Sequence, residues 1–162
     1  MSVQELFSDA ELKSIQEIAS RYEEPGSALM PLLHYVQQIR GYLGEDEMAF
    51  IADFLGITRV RAYEVATYYT LYYTKPRGRH TIQVCRNLSC TLAGAEGIVD
   101  FLKKELEIEV GGTTADGMFS LVEVECIGSC DKAPAIMIDG DHHGPVTPES
   151  LREILNTYRG KP

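Results

Sequence analysis

Four cysteines stand in two short pairs, Cys85 with Cys90 as C-x4-C and Cys126 with Cys130 as C-x3-C. Each pair comes directly after a run of β-like alternation, "HTIQVC" for the first and "MFSLVEVEC" for the second. In an α/β sheet, loops that leave strands pointing the same way meet at one end, where ligand sites gather. The matching positions therefore predict that the two loops are neighbours and that four thiols face one another. Few other features of a chain this size restrict its fold as much.

What the thiols are for depends on their compartment. No run approaches the roughly 18 to 20 apolar residues of a membrane span, and "MSVQELFSDAELKS" lacks the basic-then-apolar build of a secretion signal. The expected location is the cytoplasm, where a reducing milieu argues against structural disulfides. A formal charge of −9 disfavours a phosphate-binding surface and suits a soluble subunit that meets protein partners. Two chelating pairs on adjacent loops supply either the tetrahedral shell of a zinc ion or two ligands to each iron of a 2Fe-2S cluster, and spacing alone does not choose between them. A thioredoxin-type dithiol prefers C-x-x-C, which neither pair has. A lone cysteine is most simply a small hydrophobe, but that account fits two loop pairs at equivalent strand ends poorly. Around them Ser89, Gly128 and Ser129 let main-chain N–H groups point at sulfur, and Pro134 stiffens the return to the next strand.

The first half of the chain reads as helices. "FSDAELKSIQEIASRY" carries a capping box, Ser8 with Glu11, ahead of Leu12, Ile15, Ile18, Ala19 and Tyr22 on one face. A second helix is expected to start on Ser27 as N-cap and stop at Gly41, with Leu29, Leu32, Leu33, Val36 and Ile39 buried. A third runs from about Glu45 to Leu55 and ends at Gly56; a fourth starts at Thr58 with Val60, Tyr63 and Ala66. "TKPRGRH" then has the composition of a linker, which gives two domains, 1–76 and 77–162. Beyond it come a strand, one helix over "TLAGAEGIVDFLKKEL", a strand, a strand at "AIMIDG" and a helix on Thr147 and Pro148. The fold class is α+β, a helical bundle followed by a small α/β domain.

"GRHTIQVCRNLSCTLAGAEGI" together with "VECIGSCDKAPAIMIDG" resembles the small iron-sulfur subunits in the NADH dehydrogenase module of respiratory complex I. The likeness extends back through "IRGYL" and "VATYYTLY", and the two cysteine pairs over a gap of about 35 residues are a specific motif. It implies a thioredoxin-like domain holding one 2Fe-2S cluster on Cys85, Cys90, Cys126 and Cys130, after a helical domain that docks on a partner subunit carrying FMN and the NADH site. It also implies other peripheral-arm subunits as neighbours, a place on the inner face of the cell membrane through the complex rather than by insertion, and no nucleic acid. The related alternative is the homologous subunit of an NAD-linked hydrogenase or formate dehydrogenase. One departure is visible: where the family leads us to expect an aromatic and acidic run before "TPE", the chain has "DHHGPV".

Other features point elsewhere, and less strongly. "MAFIADFLGITRVRAYEVATYY" has the look of a DNA-reading helix-turn-helix, the mark of an iron-sulfur regulator, yet it offers only Arg59 and Arg61 in an acidic chain. His142 and His143 suggest a Rieske-type site, but four cysteines already fill the shell, which leaves them in a solvated hairpin. Tyr68, Tyr69, Tyr72 and Tyr73 supply more aromatic surface than a short helix end buries, and tyrosine is enriched at interfaces. No G-x-G-x-x-G follows a strand and no P-loop is present, so nicotinamide chemistry is expected on a partner; no carboxylate pair stands out as catalytic.

Overall fold

The computed structural model describes residues 6–160 and divides into two compact units, Met1–Pro76 and Arg77–Pro162. The opening "MSVQE" and the final Lys161 and Pro162, which the expected domain limits include, lie outside the described residues. Among the described residues, no helix is long and apolar enough to cross a membrane.

In the first unit, helix α1 (Asp9–Ala19) opens with the expected capping box: the Glu11 N–H reaches the Ser8 hydroxyl and the Ser8 N–H reaches the Glu11 carboxylate. Helix α2 (Leu29–Arg40) does not start on Ser27. Ser27 lies inside a 3-10 turn, Pro25–Ala28, whose backbone runs straight into the helix with Ala28 at the N-cap, so no hydroxyl cap forms. Gly41 and Gly56 end α2 and helix α3 (Glu45–Leu55) in the left-handed conformation that glycine adopts without strain. Helix α4 (Arg59–Tyr68) is capped by Thr58.

Helix α4 buries Ala62, Val65 and Ala66. Val60 and Tyr63 point to solvent, and the small residues Ala62, Val65 and Ala66 let the helix approach Leu32, Leu33, Val36, Met48 and Ile51 closely. Arg59 and Arg61, the cations a DNA-reading helix would use, are paired with Asp53 at 2.6 Å and Glu64 at 3.4 Å.

The second unit is built on a sheet of four strands, β1 (His80–Cys85), β2 (Phe119–Val124), β3 (Ile136–Ile138) and β4 (Asp141–His143), in the order β2-β1-β3-β4. Strands β1 and β2 are parallel, with His80 opposite Phe119 and Cys85 opposite Val124; the other pairings are antiparallel. The single helix expected over "TLAGAEGIVDFLKKEL" is two, α5 (Leu88–Leu92) and α6 (Ala95–Leu106), because Gly94 takes a φ of 95° between them. Helix α7 (Pro148–Arg159) begins on Thr147 and Pro148 as the sequence indicates. Ile82, Val84, Leu121, Ile136 and Ile138 from the sheet form one core with Ile98 and Leu102 of α6 and Leu151 and Leu155 of α7. Strand β4 does not follow from the sequence, since "DHH" has neither apolar alternation nor β-branched residues.

Candidate metal centre

The parallel register of β1 and β2 ends level, Cys85 against Val124, so the chain leaves both strands at the same edge. Arg86, the next residue on one side, donates through Nη2 to Glu125 Oε1 at 2.6 Å on the other, and its N–H bonds the Val124 carbonyl. Each side chain is more than half exposed, so this ion pair contributes little stability, but it ties the two loops at their roots. Opposite charges directly behind the first strand and before Cys126 are the sequence signal for this clamp, and only the register makes it readable.

All four cysteines are free thiols gathered beyond that clamp. Cys85 and Cys90 are buried, the latter on α5, whose start is fixed by the Asn87 side chain accepting the Leu88 N–H. They form a small cluster with Ala95 and Ala135, edged by Ile127 and Ala133. Cys126 and Cys130 are exposed, with their sulfurs 3.5 Å apart. That exposure excludes the small-hydrophobe role for the second pair. Among the described residues no three His, Cys, Asp or Glu side chains are grouped to enclose one metal ion. Cys126 and Cys130 pair at 3.5 Å, and Cys90 has Cys85 beside it and Cys130 across the loops.

The backbone around the sulfurs is arranged for negative charge. Gly128, at a φ of 80°, turns its N–H onto Cys126 Sγ at 3.4 Å, and this bond, ahead of the one with Cys130, holds the Cys126 thiol below its ordinary range. Burial pushes the Cys90 thiol up, against the pull of the Ala135 N–H on its sulfur. The Cys130 thiol is raised chiefly by its bond with Cys126, and the Ser89 hydroxyl counteracts this from the opposite loop. The Gly128 N–H thus bonds a sulfur directly, and Ala135 and Ser89 lie near enough to favour negative charge on Cys90 and Cys130. A metal that takes the protons' place would meet donors already turned toward the sulfurs, and the set fits a 2Fe-2S cluster.

The histidines are not part of this shell. His142 and His143 lie on β4, where His142 Nδ1 is 2.6 Å from Ser129 Oγ and His143 Nε2 is 3.3 Å from Tyr158 Oη. They lie on the outer strand of the β3–β4 hairpin, the place the sequence indicates, with His142 exposed.

The model of the family described as thioredoxin-like [2Fe-2S] ferredoxin matches residues 15–159. The E subunit of NADH-quinone oxidoreductase from Pseudomonas aeruginosa is 40% identical over 153 residues, 94% of this chain and 92% of that protein. The Escherichia coli protein of the same name is 40% identical over 152 residues, again 94% and 92%. Among solved structures, the NAD+-reducing [NiFe]-hydrogenase in its H2-reduced state aligns with a TM-score of 0.69 at 21% identity, over 86% of this chain and 23% of that one, which is a likeness of fold. With a family model over most of its length and relatives at this identity across nine-tenths of it, the chain belongs to the thioredoxin-like [2Fe-2S] ferredoxin family.

Proposed function

We propose that this chain is the one-electron carrier of an NADH:quinone oxidoreductase, holding a 2Fe-2S cluster on Cys85, Cys90, Cys126 and Cys130 and exchanging electrons with the FMN of a partner subunit. The observation that carries the reading is the meeting of two thiol pairs at the level ends of parallel β1 and β2. When bound, such a cluster supplies one-electron exchange, whereas NADH delivers a pair of electrons as a hydride, which a flavin can divide. The residues of this chain do the holding. Cys85 and Cys90 anchor the buried side, Cys126 and Cys130 leave the other side open to a partner, and the Gly128 and Ala135 N–H groups stabilise negative charge on sulfur.

The helical unit is the dock in this reading. A cleft of about 860 Å³ is lined by Met30, Arg61, Glu64, Tyr68 and Tyr69, and Val60, Tyr63 and Leu71 are exposed on the same unit. Aromatic anchors in a desolvated contact carry most of an interface's energy, which suits this surface to the flavin subunit. This chain would lie on the cytoplasmic side, peripheral to the inner face of the cell membrane and held there through the complex.

The test is to purify the chain with its flavin partner and add NADH anaerobically. Reduction of the iron-sulfur signal through the partner, and none by NADH with the chain alone, is the expected result; direct reduction of the isolated chain by NADH contradicts it. The genes beside this one separate the assemblies: proton-pumping membrane subunits mark an NADH:quinone oxidoreductase, and a hydrogenase or formate dehydrogenase catalytic chain marks the alternative.

A further inference from the structure

We infer that His142 is a positioning residue for the cluster, acting through Ser129 to fix the loop that presents Cys126 and Cys130; the inference rests on the cluster reading above. Strand β4 and the residues after it run along this loop and touch it at successive points. His142 Nδ1 meets Ser129 Oγ at 2.6 Å, inside the C-x3-C segment itself. Two residues on, Gly144 lies so close to Lys132 that a Cβ there would collide with the Lys132 carbonyl oxygen. Two further on, the Val146 N–H donates to the Pro134 carbonyl at 3.0 Å. The loop between Cys126 and Pro134 is therefore held from outside at three points by the segment that runs from His142 on strand β4 to Val146 beyond it.

Of these contacts, the first acts on the cluster most directly. Ser129 sits between Gly128, whose N–H lies on Cys126 Sγ, and Cys130, whose sulfur is 3.5 Å from that of Cys126. The other two contacts hold the exit of the loop, and of the three only His142 holds its middle. The turn at Gly128 is left-handed and faces open space; Ile127 before it packs against the Cys85–Cys90 cluster, and the side-chain contact on Ser129 after it is that of His142. Loss of the His142 contact frees Ser129 and lets the Gly128 N–H drift from the sulfur. A weakened N–H···S bond stabilises the more negative, reduced cluster less, so the potential falls. This gives the "DHHG" segment a role that does not involve metal ligation.

The experiment compares the full-length holoprotein with His142→Ala, His142→Asn, Ser129→Ala and the Ser129→Ala, His142→Ala double variant. His142→Ala should lower the midpoint potential, alter the electron spin resonance line shape of the reduced cluster, and speed cluster loss to a chelator by about two- to fivefold, the worth of one exposed hydrogen bond. His142→Asn, whose amide reaches the position of Nδ1, should restore all three. Ser129→Ala should reproduce the effect, and the double variant should add nothing to it, since both changes remove one contact. If wild-type protein holds iron and sulfide but His142→Ala matches it in potential and line shape, or the double variant shows two additive effects, the inference is wrong. A wild-type protein without iron would instead overturn the cluster reading itself.

Discussion

The Tyr72 hydroxyl donates to the carbonyl oxygen of Met30 at 2.9 Å, across 42 residues of sequence, and the ring is buried in the core of the helical unit. Tyr72 is thus a structural residue, unlike its exposed neighbours. Burial also pushes its phenol up, which keeps the proton in place as a donor. Tyr72→Phe should destabilise the chain by about 1 kcal/mol, because the Met30 carbonyl loses its partner while the packing survives. Denaturant unfolding measures this, and an unchanged midpoint contradicts it.

Tyr68, with 80% of its surface exposed, and Tyr69, stacked edge-on against it, are the free aromatic pair. Tyr68→Ala should leave the thermal midpoint of the isolated chain in place and weaken co-purification with the flavin subunit by tenfold or more, as loss of a hot-spot aromatic does at about 1.4 kcal/mol or above. Binding that is unaffected would move the dock elsewhere.

Gly128 and Gly144 predict opposite kinds of damage. At Gly128 a methyl group meets nothing within 4 Å, so Gly128→Ala costs only the left-handed strain, about 1 to 2 kcal/mol, and should yield a folded protein with a looser cluster. At Gly144 the obstruction is the backbone of Lys132, which cannot swing aside, so Gly144→Ala should displace the Cys130–Lys132 turn and lower iron content outright. Iron per folded chain ranks the two, and equal loss at both positions would contradict this ranking.

Stability at high pH should depend on Tyr158. Burial first, then its bond to Asp141 at 2.9 Å, pushes its phenol up to about 12, whereas an unfolded tyrosine ionises near 10. Between those values unfolding releases a proton, so this contribution is whole below about pH 10 and is lost as pH rises through about 12. In Tyr158→Phe the stability curve over that window should be flatter than in the wild-type chain; identical slopes would show that another group governs it.

Local interactions are legible in the sequence, and of the distant ones the meeting of the cysteine pairs is. Ser8 with Glu11, Gly41, Gly56, and Thr147 with Pro148 punctuate helices through local geometry, and they stand where the residues indicate. Cysteine spacing after two alternating runs indicates that four thiols meet, because parallel strands must share an exit edge. The misreadings are of two sorts. Ser27 loses its cap to a 3-10 turn, and the single helix over "TLAGAEGIVDFLKKEL" breaks in two where Gly94 turns left-handed. The Arg86–Glu125 clamp and the His142–Ser129 contact join residues 39 and 13 apart, and neither follows without the register.

That four thiolates hold two irons is the central claim, and metal and sulfide analysis of the purified chain addresses it most directly. Iron and acid-labile sulfide should each come near two per chain in a reddish-brown protein, with loss of both when any one of Cys85, Cys90, Cys126 or Cys130 is changed to Ala. A colourless protein with one tightly bound zinc and no sulfide would contradict it.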